Sequence, residues 1–188
     1  MRYGINYGML QLSTDVFERR TENNTAQILA AQRGDRAAFG ILYEQYVRMI
    51  HGLLISHVAF PEAEDLMQDV FTVALERIAT LRDPESFGAW LCTIARNIAH
   101  DFHRKPHSNG IERDIQDQRS DRNSEAMSVL EEIQKLPDAY RESLVLRLAE
   151  GMTGPEIARK TGMTEGSVRV NLCRGMKLLR EALEMKNV

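Results

Sequence analysis

Apolar residues along this chain recur at helical spacing, and the polar positions between them sort by face. From Thr25 to Val58, "TAQILAAQRGDRAAFGILYEQYVRMIHGLLISHV" predicts two helices. The first ends near Arg33-Gly34, where glycine suits a left-handed cap, and Asp35 caps the second. In that second helix Phe39, Leu42, Tyr43, Tyr46, Ile50 and Leu53 form the apolar stripe. A third helix is predicted from Pro61 to about Leu81. The turn "RDPES" follows, with Ser86 as the cap of a fourth helix, "FGAWLCTIARNIAHDFHRK", which Pro106 ends.

The C-terminal part repeats the same helical rhythm. Helices resume at Ser124 with "EAMSVLEEIQKL", and "DAYRESLVLRLAEG" follows Pro137. Thr153 to Glu156, "TGPE", reads as a capping box with proline in the first turn. A short helix, the turn "TGMT" and a longer helix capped by Thr164 make a helix-turn-helix pattern. No strand signal and no internal repeat are present. The chain is therefore expected to be all-α, with two small helical domains joined by a flexible polar linker. The expected boundaries are an extension at 1–24, a first domain at 25–105, the linker at 106–123 and a second domain at 124–188. The linker, "PHSNGIERDIQDQRSDRN", carries only two aliphatic residues.

Three helix faces carry chemistry. In "EDLMQDVFTVALE", residues 64–76, Asp65, Asp69, Thr72 and Glu76 stack on one narrow side, with Leu66, Val70 and Val73 on the neighbouring flank. No base, metal ligand or nucleophile accompanies the acids. In the fourth helix Leu91, Ile94, Ala95, Ile98 and Phe102 form the core face. Thr93, Asn97, His100 and Arg104 lie opposite, with Trp90 at the margin. An asparagine beside an aromatic ring and basic groups can hold a splayed-out base. In the last helix Val168, Leu172, Gly175 and Leu179 point inward, while Arg169, Cys173, Lys177 and Arg180 gather opposite, flanked by Val170 and Arg174. Ser167 to Arg180 holds four basic residues and no acid, which suits a DNA major groove.

Composition narrows the picture. The chain has 188 residues, 43% hydrophobic, 27% charged and only 6% aromatic, which favours helices. Its formal net charge is -3, so any DNA affinity must be local or delivered by a partner. Two distant cysteines, Cys92 and Cys173, make no disulfide framework and fit a reducing cytoplasm. No stretch approaches a membrane span or a signal peptide, so no membrane insertion is expected. His100, His103 and His107 lack a confirming cysteine or carboxylate set, and no metal or cofactor is expected. No nucleophile elbow, phosphate loop or HExxH appears, so the chain does not read as an enzyme.

Together these pieces resemble an extracytoplasmic-function (ECF) sigma factor, a minimal member of the sigma-70 family of bacterial RNA polymerase, over roughly residues 25 to 185. "FGILYEQYVRMI", "AEDLMQDVFTVALE" and "FGAWLCTIARNIAHDFHRK" resemble the family's region 2. "LPDAYRESLVLRLAEGMTGPEIARKTGMTEGSVRVNLCRGMKLLRE" resembles its region 4. The resemblance implies a cytoplasmic promoter-specificity subunit that binds core RNA polymerase, reads −10 and −35 elements and melts DNA for initiation. It implies that Asp65, Gln68, Asp69 and Glu76 contact polymerase. Ser86, Trp90, Thr93, Asn97, His100, Arg104 and Lys105 would serve the −10 element, with Asn97 reading a flipped base. Thr164, Ser167, Arg169, Val170, Asn171, Cys173, Arg174 and Lys177 would serve the −35 element. It also implies an anti-sigma factor as a further partner. Val170 and Asn171 stand where relatives often carry polar or basic residues, so a different −35 sequence is expected. Residues 1–24 fall outside the family pattern and fit an upstream start-site artefact, a regulatory tail or part of an inhibitor interface. Two rival readings are a stand-alone helix-turn-helix regulator, which leaves the acidic ridge idle, and a sigma-mimicking adaptor, which leaves the basic face idle.

Overall fold

The computed structural model describes residues 24–104 and 121–186. Among them every regular element is helical. They are α1 (24–32), α2 (Arg36–Ile55), α3 (Phe60–Arg77), α4 (Phe87–Arg104), α5 (Asp121–Gln134), α6 (Asp138–Leu148), α7 (Gly154–Thr161) and α8 (Glu165–Lys186). The extension before Asn24 and residues 105–120, which hold most of the expected linker, lie outside the described residues.

Local chemistry sets the helix ends. Gly34 takes φ +94° after α1, and the Asp35 carboxylate accepts from the amides of Ala37 (2.9 Å) and Ala38 (3.1 Å) to start α2. Helix α3 starts at Phe60 with Pro61 in its first turn and stops at Arg77, short of the expected Leu81. There the chain tightens into a 3-10 turn, Ile78–Thr80, whose carbonyl end is held by Gln32. The Gln32 amide donates to the carbonyls of Ile78 (3.1 Å) and Leu81 (2.6 Å). Ser86 does not cap α4 as expected. Its hydroxyl donates to the Asp83 carbonyl at 2.7 Å within a second 3-10 turn, Pro84–Ser86, which the Asp83 carboxylate caps. Helix α7 opens on the capping box: the Thr153 hydroxyl accepts from the Glu156 amide, and Glu156 accepts from the Thr153 amide at 2.8 Å.

Helices α1 to α4 pack as one bundle. Leu42, Met49, Ile50, Leu53 and Leu54 of α2, Val70 and Ala74 of α3, and Phe87, Leu91 and Cys92 near the start of α4 have no more than 1% exposure. Tyr43, expected in the α2 stripe, is 39% exposed and rests edge-on against Phe71. The stripe is instead wider toward the end of α2, where Met49 through Ile55 are buried except for His51. A helix buried on more than one side needs a second partner. That partner is α6, whose Leu144, Val145 and Leu146 are also buried. Helices α5 to α8 form the second bundle, in which α6 and α8 are closely packed. The two bundles meet where α6 lies on α2 and α7 lies on the start of α4.

Candidate functional site

The acidic face of α3 is exposed along its length. Asp65, Gln68, Asp69, Thr72 and Glu76 all face solvent, while Ala63, Leu66, Val70, Phe71 and Ala74 are buried beneath them. Thr72 turns its hydroxyl back to the Gln68 carbonyl at 2.9 Å, so the ridge presents mainly carboxylates. A row of such groups steers a basic partner and offers charge-assisted hydrogen bonds.

On α4, Thr93, Asn97, His100 and Arg104 share an exposed side, opposite buried Leu91, Ile94 and Ala95. Trp90 is half-buried, its ring 5.8 Å from that of Phe87, so it is both a packing residue and part of the surface. The Thr93 hydroxyl is engaged by the Ala89 carbonyl at 3.0 Å, and Arg104 pairs with Asp101 at 3.0 Å. Ser86 sits half-buried in the turn before the helix. Lys105 lies outside the described residues.

Helix α8 sorts its faces as expected. Val168, Gly175 and Leu179 are buried and Leu172 is half-buried. Arg169, Val170, Cys173, Arg174, Lys177 and Arg180 are exposed. Thr164 caps it, accepting from the Ser167 amide at 3.1 Å, with the two hydroxyls 2.8 Å apart. The entry turn depends on Gly162, whose φ of +76° favours glycine. Asn171 is half-buried beside Met163, its amide 3.8 Å from the thioether sulfur. Cys92 is buried and Cys173 exposed, both as free thiols; burial pushes the Cys92 thiol up to about 12.

The structure brings the α4 and α8 groups to one place. Asn97 and His100 share a cleft of about 640 Å³ with Asn171 and Met163. The floor of that cleft is a charged junction that sequence reasoning missed. Glu142 of α6 accepts two hydrogen bonds from the Arg96 guanidinium, both 2.7 Å, and lies 3.2 Å from His57 Nε2. Burial alone would raise the Glu142 carboxyl; Arg96, then His57, outweigh it and hold it at about 2. A second junction joins Arg48 to Glu150 at 3.0 Å, with His51 3.6 Å from the same carboxylate. Six residues part His51 from His57, and they share no helix face, yet both meet acids from the second bundle. No local pattern announces these pairs. The only signals are a glycine inside each of two apolar helices, Gly52 and Gly88, which mark close approach. Among the described residues no group of three His, Cys, Asp or Glu side chains could hold a metal, and no helix is long and apolar enough to cross a membrane.

An all-helical chain with an exposed acidic helix in one bundle and a basic recognition helix in the other belongs to the transcription-initiation class. Residues 42–108 match the model of Sigma-70 region 2, and residues 126–179 match that of Sigma-70, region 4. The chain is 32% identical over 167 residues to the ECF RNA polymerase sigma factor BldN of Streptomyces coelicolor. That match covers 81% of the chain and 63% of BldN. It is 28% identical to the RNA polymerase sigma-H factor of Pseudomonas aeruginosa, over 87% of the chain and 95% of that protein. A solved structure of CnrH in complex with the cytosolic domain of CnrY is 25% identical, with a TM-score of 0.62, covering 87% of this chain and 98% of that one. The chain belongs to the sigma-70 family and is an ECF-type sigma factor, a promoter-recognition factor of RNA polymerase in transcription initiation.

Proposed function

We propose that region 2 comprises residues 25–105 and region 4 residues 124–188, and that the two divide the work of one promoter-directed complex. Asp65, Gln68, Asp69 and Glu76 dock on core RNA polymerase. Trp90, Thr93, Asn97, His100, Arg104 and Lys105, with Ser86 at the turn, hold the −10 strand, and Asn97 reads an extruded base. Unpairing costs a few kcal/mol per base, so binding the flipped base drives melting without a nucleotide-hydrolysing site. Thr164, Ser167, Arg169, Val170, Asn171, Cys173, Arg174 and Lys177 address the −35 major groove. The chain acts as a binding subunit rather than a catalyst, in the cytoplasm with its polymerase.

The observation that carries this reading is the pairing, in one chain, of an unneutralised acidic ridge on α3 with a basic, acid-free face on α8. A stand-alone regulator needs only the second. A protein inhibitor of the anti-sigma type is a further partner: the similar protein CnrH was solved with the cytosolic domain of CnrY. The docking assignment is tested by replacing Asp65→Arg and Asp69→Arg together. Core association should be lost while the circular dichroism stays helical. A doubly changed protein that binds core as tightly as the unchanged chain would refute the assignment.

A further inference from the structure

The strongest unexplained feature is the seam between the bundles. Glu142 and Glu150 are carboxylates of region 4 with side chains only 10% and 11% exposed, and each meets an arginine of region 2. Lys160 adds a hydrogen bond from Nζ to the Gln45 carbonyl at 2.8 Å, and the Gln134 amide donates to Ile55 and Val58 carbonyls at 2.8 and 2.9 Å. Three glycines face the same seam. A Cβ on Gly88 would stand 2.2 Å from the Lys160 carbonyl oxygen, one on Gly162 2.6 Å from Ala89 Cβ, and one on Gly52 2.9 Å from Glu150 Cγ. The Lys160 oxygen is backbone and cannot swing aside. Matched charges, satisfied carbonyls and side-chain-free contact points on both surfaces are the marks of a fitted interface.

The fitted state conflicts with promoter reading. Asn97 and Asn171 line one cleft of about 640 Å³, a space on the order of 10 Å across. Two promoter elements about 25 base pairs apart lie about 85 Å apart along B-DNA, at about 3.4 Å per pair. One rigid closed chain cannot place the two faces on both elements.

We propose that region 4 of this chain is an intramolecular ligand for region 2: the free protein closes on itself through the Arg96–Glu142 and Arg48–Glu150 junctions and the Gly88 contact, and it must open before it can engage a promoter. The conflict with promoter spacing rests on the proposed function; the closure itself does not. Each charge junction brings a carboxylate out of water to a fixed guanidinium, so closure is specific to this pairing of surfaces. Opening returns both groups to water, which limits its cost and lets polymerase or DNA drive it.

Small-angle X-ray scattering of the free full-length chain tests closure without polymerase or DNA. The unchanged protein should be compact, near the radius of gyration of about 16 Å expected for a folded chain of this length, allowing for its tails. Gly88→Ala, which drives a methyl group into the Lys160 carbonyl, should raise the radius by about a quarter or more with helix content retained. Arg96→Glu should do the same, and the exchange Arg96→Glu with Glu142→Arg should restore the compact value. If Gly88→Ala loses helix, the exchange series decides alone. An unchanged protein already as extended as the variants, or variants that stay compact with full helix content, overturns the proposal, as does an exchange that fails to restore compactness. Transcription with core polymerase is read separately: failure there with a normal opening series removes the functional reading and leaves the clamp standing.

Discussion

The Glu142 carboxylate offers the sharpest energetic test. It is 7% exposed, accepts two hydrogen bonds from Arg96 and lies beside His57. Its carboxyl falls from the ordinary 4.5 to about 2 in the folded chain, because the Arg96 and His57 contacts outweigh the opposing effect of burial. Each unit is worth about 1.4 kcal/mol, so the charged form contributes about 3 kcal/mol. The sign follows from the direction: the folded value is depressed, so this stability is fully present above pH 4.5 and is lost as pH falls toward 2. Glu142→Gln keeps the shape and removes the charge. Urea unfolding followed by far-ultraviolet circular dichroism should show a loss of about 2–3 kcal/mol at pH 7, the upper end being a ceiling because a chain that opens rehydrates Arg96. Repeated at lower pH, the gap between the two proteins should shrink below pH 4.5 and vanish near pH 2. A gap that stays constant with pH, or none at pH 7, would show that the Arg96–Glu142 pair does not hold the chain together.

Other expectations follow from particular residues. Thr153→Ala removes the α7 capping box and should cost about 1 kcal/mol, seen as a lower melting temperature with the same helix content. Iodoacetamide at pH 8 should label exposed Cys173 and leave buried Cys92 intact by mass spectrometry, since the Cys92 thiol sits at about 12. Asn97→Ala should weaken initiation on duplex promoter and recover on a premelted template; an equal defect on both would deny Asn97 a part in capturing the base.

Much of the fold is legible because each bundle obeys one-face periodicity. Leu91, Ile94 and Ala95 on α4, and Val168, Gly175 and Leu179 on α8, are buried where helical spacing places them, and the α3 acids face solvent. The seam was not legible for a physical reason. Arg96 and Glu142 are 46 residues apart, and Arg48 and Glu150 are 102 apart, so no local window holds both partners. Met49 and Leu54, off the α2 stripe, looked like surplus apolar residues until α6 covered them. Ser86 shows the limit of capping rules: where Asp83 already caps the turn, the serine hydroxyl donates to a carbonyl instead. The recognition faces were likewise legible, but not their confinement to one cleft, because tertiary docking overrides the independence that a polar linker suggests.

The central claim is that this chain gives RNA polymerase promoter selectivity. The direct measurement is run-off transcription with purified core enzyme over a pool of bacterial promoter fragments, with and without the chain. The account predicts discrete new transcripts that share a pair of upstream elements and depend on the added protein. Core enzyme that binds no chain and starts no new transcript from any fragment would contradict it.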